Sequence, residues 1–196
     1  MRDDRFEILF VCYANLCRSP MAELLARRAF DETFGVLGSV VVTTSAGTHA
    51  YAGSAMHKGS ATVLAATGID PGAFVSRTVD ASVLATADLV LTAAREHRAA
   101  CAELAPGKVR RTFTLRQFTR LVDAAGPVPG LAVRTVPDRL HALMGRVDAT
   151  RHLVPQVPAG RDDLPDPVNQ PIEAFEECAD EIRRSLDRVM RVIAAG

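Results

Sequence analysis

Short apolar runs alternate with helical patterns of apolar residues along most of this chain. Four runs are rich in apolar or β-branched residues and predict strands: Ile8–Val11, Val40–Thr44, Leu89–Thr92 and Arg111–Leu115. The intervening patterns predict helices: Pro20–Phe34, Ala55–Thr67, Asp80–Ala85, Arg95–Leu104 and Leu115–Ala124. Strands that alternate with helices favour parallel pairing through right-handed crossovers. The pattern therefore predicts a three-layer α/β fold, with a four-stranded parallel sheet flanked by helices on both faces.

The most regular helical pattern lies at the end of the chain. Apolar residues recur there at alternating steps of three and four: Ile172, Phe175, Ala179, Ile182, Leu186, Val189 and Ile193. Glutamates come early in this segment and arginines late, as the helix macrodipole favours. Such a stripe suits either packing on the sheet or a coiled-coil partner, and we expect packing on the sheet.

The first strand leads into the segment with the most chemical information, Cys12-Tyr13-Ala14-Asn15-Leu16-Cys17-Arg18-Ser19-Pro20. In a loop between strand and helix, backbone N–H groups can point inward, and the first helical turn adds its positive dipole end. The spacing of Cys12 and Arg18 lets one loop close around a single phosphate, with the guanidinium taking two oxygens in a fork. The segment therefore predicts removal of a phosphate through a covalent phosphocysteine, with the Ser19 hydroxyl donating to the thiolate.

Simpler interpretations exist for the single residues. A cysteine at the end of a buried strand is often a small core residue, and an arginine at a helix start is often solvated. The complete strand–loop–helix combination favours the phosphate site. Zinc binding by Cys12 and Cys17 is disfavoured, because their spacing is unusual and no second Cys/His pair lies nearby. The five histidines show no ligand spacing, so we expect neither a metal nor another cofactor.

The loop, together with Val11 before it and Met21-Ala22-Glu23 after it, resembles the phosphate-binding loop of the low-molecular-weight protein tyrosine phosphatases. Later segments resemble further motifs of that family, in family order: Thr44-Ser45-Ala46-Gly47-Thr48, Ala87-Asp88-Leu89-Val90-Leu91-Thr92 with Arg95-Glu96-His97, and Asp166-Pro167. Together they cover most of residues 6–118 and 162–194. The chain thus resembles a divergent bacterial member, with one phosphatase-like domain over residues 1–196 and an extended insertion at about 119–160.

The resemblance implies a role for each matching residue. Cys12 is the expected nucleophile, Arg18 binds the phosphate, and Asp166 serves as general acid and base. The resemblance also assigns residues that surround or support the substrate: Tyr13, Ala14, Asn15, Leu16, Cys17, Ser19 and Tyr51. In this scheme Asn15 holds the unusual loop backbone and Tyr51 forms one wall of the entrance. Asp162 and Asp163 are rivals for the acid, although flanking prolines present Asp166 from a stiff extended loop.

This sequence departs from the family pattern at several places that bear on the substrate. Ala14 stands where glycine is common, and Phe74 lies roughly where the family has a histidine that supports the loop asparagine. Val168-Asn169 replaces the aromatic pair that usually follows the Asp-Pro step. That last change removes side chains that would pack against a phosphotyrosine ring. The chemistry is therefore indicated more firmly than the molecule that undergoes it.

Composition adds limits on partners and compartment. A length of 196 residues suits one domain, and a formal net charge of zero favours neither nucleic acid nor a membrane surface as a partner. We find no signal-peptide pattern and no apolar stretch of membrane-spanning length. Four scattered cysteines, one of them needed as a thiolate, favour a reducing cytoplasm. The expected partner is a phosphorylated protein or a small phosphoester, and the oligomeric state stays open.

The segment before Asp166 and the second loop cysteine each suggest a hypothesis. Residues 126–130 indicate a loop, and Val136–Val147 has the spacing of a small extra helix. Because this region leads into Asp166, we hypothesise a lid or substrate wall; the alternative is an insertion with no role at the site. Cys17 would form a reversible disulfide that shields Cys12 from overoxidation, as the resemblance supports. Cys101 and Cys178 lie on predicted helices and are expected to be packing residues.

Several classes of function compete. The leading hypothesis is a phosphomonoesterase that acts on phosphotyrosine in proteins, and the same chemistry on a small phosphorylated metabolite is the alternative. Arsenate reduction, performed by a related fold, needs a closely spaced extra cysteine pair that Cys101 lacks. A module that only binds phosphate or phosphopeptides would need Arg18 but neither Cys12 nor Asp166.

Overall fold

The computed structural model describes residues 5–127 and 135–195. Its parallel sheet contains four strands, in the order β2-β1-β3-β4: β1 Phe6–Cys12, β2 Val41–Gly47, β3 Leu89–Thr92 and β4 Thr112–Thr114. Seven α-helices lie in the described part: α1 Arg18–Phe34, α2 Lys58–Ala66, α3 Ala81–Thr86, α4 Arg95–Leu104, α5 Leu115–Ala125, α6 Val136–Thr150 and α7 Ile172–Ala194. The predicted α/β class, strands and helices are confirmed.

Two errors in the predicted helix boundaries have local causes. Helix α2 begins at Lys58 rather than Ala55, because the Nδ1 atom of His57 accepts a hydrogen bond from the Gly59 amide and caps the helix. Helix α1 begins at Arg18, two residues before the predicted Pro20, so the loop arginine already belongs to the first helical turn. The phosphate loop is therefore shorter, and closer to the helix dipole, than the sequence pattern indicated.

Strand β1 separates two hydrophobic cores. Alternate side chains of a strand point to opposite faces. Phe6, Ile8, Phe10 and Cys12 join the main core with α1, α5, α6 and α7, whereas Leu9 and Val11 join a smaller core with residues of α3 and α4. Both faces of β1 are buried from Ile8 onward, which is why Ile8-Leu9-Phe10-Val11-Cys12 reads as an unbroken apolar run. These layers place the end of β1, and the loop after it, at the centre of the sheet.

The order of the strands also selects the place of the site. β1 pairs with β2 on one side and with β3 on the other, so the chain leaves the carboxyl ends of β1 and β3 in opposite directions, toward β2 and β4. Such a point in an open parallel sheet leaves a crevice, and ligands bind there. The Cys12–Ser19 segment begins in this crevice.

Helix α7 confirms the prediction that its stripe packs within the molecule. Six of the seven stripe residues are buried, all in the main core: Phe175, Ala179, Ile182, Leu186, Val189 and Ile193. The exception is Ile172, with 38% of its surface exposed. No helix in the described ranges is both long and apolar enough to span a bilayer.

The lid hypothesis for the insertion is wrong where it concerns α6. The predicted extra helix exists, but Leu140, Leu143, Met144 and Val147 are buried in the main core. The ring of His141 meets Phe6, the first residue of β1, with centroids 5.0 Å apart. Because Cys12 ends that same strand, α6 lies at the opposite end of the sheet from the loop and forms no wall of the site. The predicted loop at 126–130 falls partly outside the described residues.

Candidate active site

Cys12 ends β1 with its side chain almost completely buried, and its Sγ atom lies 3.0 Å from the Oγ atom of Ser19. Ser19 belongs to the first turn of α1, so strand and helix bring the two groups together across the loop. Its hydroxyl carries one proton, and either Cys12 Sγ or the Ala46 carbonyl oxygen, 3.3 Å away, can accept it. A thiolate at Cys12 therefore has a hydrogen-bond donor already in place.

Asn15 holds the loop from its centre. Its backbone has φ 55°, in the left-handed region, and no part of the residue is exposed. Its Nδ2 group donates to Ser19 Oγ and to Ser45 Oγ, at 2.9 Å each, while its Oδ1 atom accepts from the Arg77 amide at 2.9 Å. Asparagine tolerates this backbone conformation better than most residues. The Asn15 role implied by the resemblance is therefore matched by three hydrogen bonds from one buried side chain.

The network continues away from the nucleophile. The Ser45 hydroxyl donates to Glu23 Oε2 at 2.6 Å, and Arg27 donates to the other carboxylate oxygen at 2.9 Å. Every donor in this chain of groups faces an acceptor, so the network is fully satisfied and rigid. It also explains why Phe74 is tolerated at the family's histidine position, since Ser45 and the Arg77 backbone already hold Asn15.

The end of β2 supports the loop from outside. The amides of Thr48 and His49 donate to the carbonyls of Cys12 and Tyr13, at 2.9 and 2.8 Å. A Cβ atom on Gly47 would lie 2.6 Å from the Tyr13 carbonyl oxygen, so the close approach of the two segments requires glycine. Ala14, by contrast, is not among the described residues with positive φ. Its Cβ therefore costs no backbone strain, and the departure from glycine is harmless.

Several backbone amides of the loop have no hydrogen-bond partner. Within the described residues, the amides of Ala14, Asn15, Leu16 and Cys17 donate no hydrogen bond. Buried amides without partners are rare, and successive ones form concavities that bind anions. The N-terminus of α1 adds its dipole to the same space. The arrangement suits a tetrahedral oxyanion.

Arg18 connects the loop to the predicted acid. Its side chain is buried; Nη2 donates to Asp166 Oδ2, and Nη1 donates to the Leu164 carbonyl at 3.2 Å. Its Nε atom is buried without a hydrogen-bond partner in the described part of the chain. Asp166 itself keeps 38% of its side chain exposed. The structure thus brings Asp166 to Arg18 from 148 positions further along the chain, beside the loop that begins at Cys12.

Asp162 and Asp163, the other two candidates for the general acid, make contacts with residues other than Arg18. Asp162 is buried and pairs with Arg95 at 3.0 Å and with Arg120 at 2.6 Å. Asp163 accepts a hydrogen bond from the Arg95 amide at 2.8 Å, at the start of α4. Asp166 is therefore the one of these three carboxylates that reaches Arg18.

An aromatic pair that the sequence did not indicate stacks beside the phosphate loop. Tyr13 is half exposed and its ring stacks on His49, with centroids 4.5 Å apart and an interplanar angle of 11°. Tyr51 is 86% exposed, and its backbone carbonyl, not its ring, accepts bonds from Ser54 and Ser76. Its role as an entrance wall stays a prediction. The stacking of His49 on Tyr13 could not be predicted from the sequence, because the histidine spacing was informative only about metal ligands.

Two buried titratable groups lie next to the site. Burial, followed by the charge of Asp166, raises the pKa of Cys17 to about 12, so its thiol stays protonated. Burial, followed by the charge of Arg18, lowers the pKa of His97 to about 4, so this ring is neutral at pH 7. Glu96 Oε1 lies 3.3 Å from His97 Nε2, yet neither ring nitrogen makes a hydrogen bond within the described residues. The Cys12–Cys17 disulfide stays a prediction, since all four cysteines are free here.

Comparison with known proteins agrees with this geometry. The model of the family "Low molecular weight phosphotyrosine protein phosphatase" matches residues 7–129, and this chain belongs to that family. Low molecular weight protein-tyrosine phosphatase A of Mycobacterium tuberculosis is 35% identical over 132 residues, which cover 65% of this chain and 78% of that protein. Wzb of Salmonella typhimurium is 33% identical over 106 residues, covering 53% of this chain and 66% of that protein. The chain therefore spans slightly less than two thirds of Wzb.

Solved structures extend the likeness over nearly the whole chain. The arginine phosphatase YwlE of Geobacillus stearothermophilus superposes with a TM-score of 0.66 and 27% identity, over 95% of this chain and 91% of that one. The fold thus continues past the end of the family match at residue 129, through the loop that contains Asp166 and through α7.

Proposed function

We propose that this protein is a cysteine-dependent phosphomonoesterase that forms a phosphocysteine on Cys12. The observation that carries the proposal is the convergence of a buried Cys12, a loop of unpaired amides and the Arg18–Asp166 ion pair. Family membership supports the same chemistry. We place it in a reducing cytoplasm, because the nucleophile has to remain a free thiol.

Substrate binding exchanges the partner of Arg18. The phosphate enters the loop, accepts from its amides and displaces Asp166 from Nη2. Nη2 and the unpaired Nε lie on one edge of the guanidinium, so together they form the fork that binds two phosphate oxygens. Nη1 keeps its bond to the Leu164 carbonyl and fixes the plane of the group. The released Asp166 carboxyl then stands beside the leaving oxygen.

Two displacements complete the reaction. The Cys12 thiolate attacks phosphorus, the bond to the ester oxygen breaks, and Asp166 gives its proton to that oxygen. Asp166 then takes a proton from water, which attacks phosphorus and breaks the phosphorus–sulfur bond. Ser19 stabilises the departing thiolate by donating its hydroxyl proton into a hydrogen bond. The loop amides and Arg18 stabilise the charge on the phosphoryl oxygens in both steps.

The rim favours an aromatic phosphoester, and we propose phosphotyrosine in proteins as the substrate. The stacked Tyr13–His49 pair offers an aromatic surface beside the nucleophile, and Val168 on the acid loop exposes 41% of its surface. This surface compensates for the aromatic pair missing after Asp166. A small phosphorylated metabolite is the second candidate, because Val168 and Asn169 leave that side of the entrance open.

A substrate panel tests the proposal. Phosphotyrosyl peptides, aryl phosphates, sugar phosphates and phosphoarginine would be compared by kcat/KM, with Cys12→Ser as the inactive variant and Cys101→Ala, a buried cysteine of the other core, as the matched control. We expect the highest kcat/KM with phosphotyrosyl peptides, none with Cys12→Ser and retained turnover with Cys101→Ala. Activity confined to metabolites or to phosphoarginine would contradict the proposed substrate, phosphotyrosine, but would agree with the proposed phosphocysteine mechanism. Absence of activity on every one of these compounds would refute the proposed phosphatase activity.

A further inference from the structure

The second half of the insertion encloses a cleft that the reaction does not use. Residues 151–157 fold over α4 and α5 beside β4 and leave a volume of about 660 Å³, within the range of small-molecule sites. β4 is two strands from β1, which places the cleft about 10 Å along the sheet edge from the loop. None of the residues that line the cleft belongs to the Cys12–Ser19 segment.

The lining of this cleft is strongly positive although the chain carries no net charge. Its guanidinium groups come from Arg95, Arg98, Arg120 and Arg151, and its one described carboxylate is Asp162. Arg95 and Arg120 both pair with that buried carboxylate, so the wall formed by these three residues already carries excess positive charge.

The other two arginines of the lining, Arg98 and Arg151, are even less neutralised. Arg98 donates from Nε to the Thr112 carbonyl at 2.9 Å and pairs with no carboxylate in the described part of the chain.

Arg151 lies 3.4 Å from Asp148, but the same carboxylate also faces Arg110 at 3.7 Å and Arg111 at 3.1 Å. Arg151 also donates from Nη2 to the Arg110 carbonyl oxygen at 3.0 Å, and its guanidinium lies over the Phe113 ring. Within the described residues, Arg98 thus keeps both Nη groups, and Arg151 keeps its Nη1 group, as donors for a ligand.

We propose that this cleft binds a phosphorylated small molecule with at least two anionic groups. Several guanidinium groups in one cleft supply forks for more than one anionic group, and their partial burial strengthens the attraction by limiting solvent screening. Apolar side chains of Leu121, Val154 and Val157 supply a surface for the rest of the ligand. The inference does not depend on the proposed reaction, since no catalytic residue lines the cleft.

The test is calorimetric titration of the full chain with inorganic triphosphate at low ionic strength. We expect two binding events, one at the loop and one at the cleft. Gln117→Glu places a carboxylate in the lining and weakens the cleft event about tenfold or more. The helix tolerates this change, because Thr114 caps α5 through the residue-117 amide and glutamate there completes a capping box.

Two further variants separate the sites. Gln117→Ala, which removes the amide without adding charge, is the matched control and keeps the cleft event. Arg18→Ala removes the loop event and spares the cleft event. If the proposed function fails and the loop binds no phosphate, the wild type shows one event, which Gln117→Glu still weakens.

Three outcomes would overturn the proposal. The first is binding that Gln117→Glu leaves unchanged, and the second is loss of all binding in a folded Arg18→Ala variant. The third is a glutamate-rich peptide that occupies the cleft while triphosphate does not, which would make it a polypeptide site.

Discussion

The phosphate loop (residues 12–19), here called the nucleophile loop, and the loop around Asp166 (residues 163–171), here called the acid loop, meet at one site. The two loops are held in different ways. The nucleophile loop is buried and carries Asn15, whose hydrogen bonds run to Ser19, Ser45 and the Arg77 backbone. The acid loop is largely exposed, and it reaches the site through Leu164, bonded to the Ala93 carbonyl at 2.8 Å, and through the Arg18–Asp166 pair. One loop is organised before substrate arrives, whereas the other is held by an ion pair that the substrate has to replace.

The largest expected effect is a loss of turnover when the predicted acid, Asp166, is replaced. Asp166→Asn keeps the shape of the loop but removes the proton donor, so kcat with poor leaving groups falls by about 10²–10⁴ and with good ones by less. Asp163→Asn is the matched control, because its amide oxygen still accepts from the Arg95 amide and turnover is retained. Steady-state kinetics over a series of aryl and alkyl phosphates measures both variants. Equal losses for good and poor leaving groups would exclude Asp166 as the acid.

The same substitution in the two loops tests how each is held. Asn15→Ala loses three buried hydrogen bonds and lowers the free energy of unfolding by about 3 kcal/mol, with a loss of kcat/KM. Asn169 has the same left-handed backbone, at φ 61°, but is exposed and makes no hydrogen bond in the described residues. Asn169→Ala therefore costs about 1 kcal/mol. Urea unfolding of both variants checks the difference, and equal costs would contradict the comparison.

The stability of the protein is expected to depend on pH through His97, a buried histidine near Arg18 and Asp166. Its pKa is about 4 in the folded protein against 6.5 as the ordinary value. Between these values the unfolded state binds the proton and the folded state does not, so stability falls as pH drops from 6.5 to 4, by on the order of 2–3 kcal/mol. His97→Asn flattens this slope in urea unfolding at several pH values, and the exposed His141→Asn does not. An unchanged slope in His97→Asn would remove His97 as the cause.

The smallest effect concerns the second cysteine of the nucleophile loop. If Cys17 forms a disulfide with oxidised Cys12, Cys17→Ser recovers a smaller fraction of activity when peroxide-treated enzyme is reduced. Cys101→Ser, in the other core, recovers as the wild type does. Activity measured before and after reductant decides this, and equal recovery in all three proteins would refute the disulfide.

Local pattern was enough for most of the fold. The apolar runs predicted all four strands, and helical spacing predicted α6 and α7, because period and burial depend on a few neighbouring residues. The position of α6 was wrong: proximity in sequence to Asp166 suggested a lid, whereas its apolar side chains join the main core at the other end of the sheet. Spacing predicts that a helix forms, and packing decides where it lies.

The candidate site divides in the same way. Cys12, Arg18 and Ser19 lie on one continuous segment, so their chemistry can be read from their order. Ser45 and Glu23 lay within recognised motifs, yet the sequence held no signal that they anchor Asn15. The choice of Asp166 over Asp162 and Asp163 rested on resemblance, and the ion pairs of the structure now supply a physical reason.

By itself, the sequence determined an α/β sheet, a phosphate loop after its first strand and the kind of chemistry that loop can perform. These follow from residues close together in the chain, whose geometry is fixed by strand, turn and helix. Tertiary structure alone decided which carboxylate meets Arg18, how Tyr13 and His49 form the rim, and where four arginines gather in a chain without net charge. Those relations join residues tens of positions or more apart, and only the packing of the sheet and helices brings them within a few ångströms.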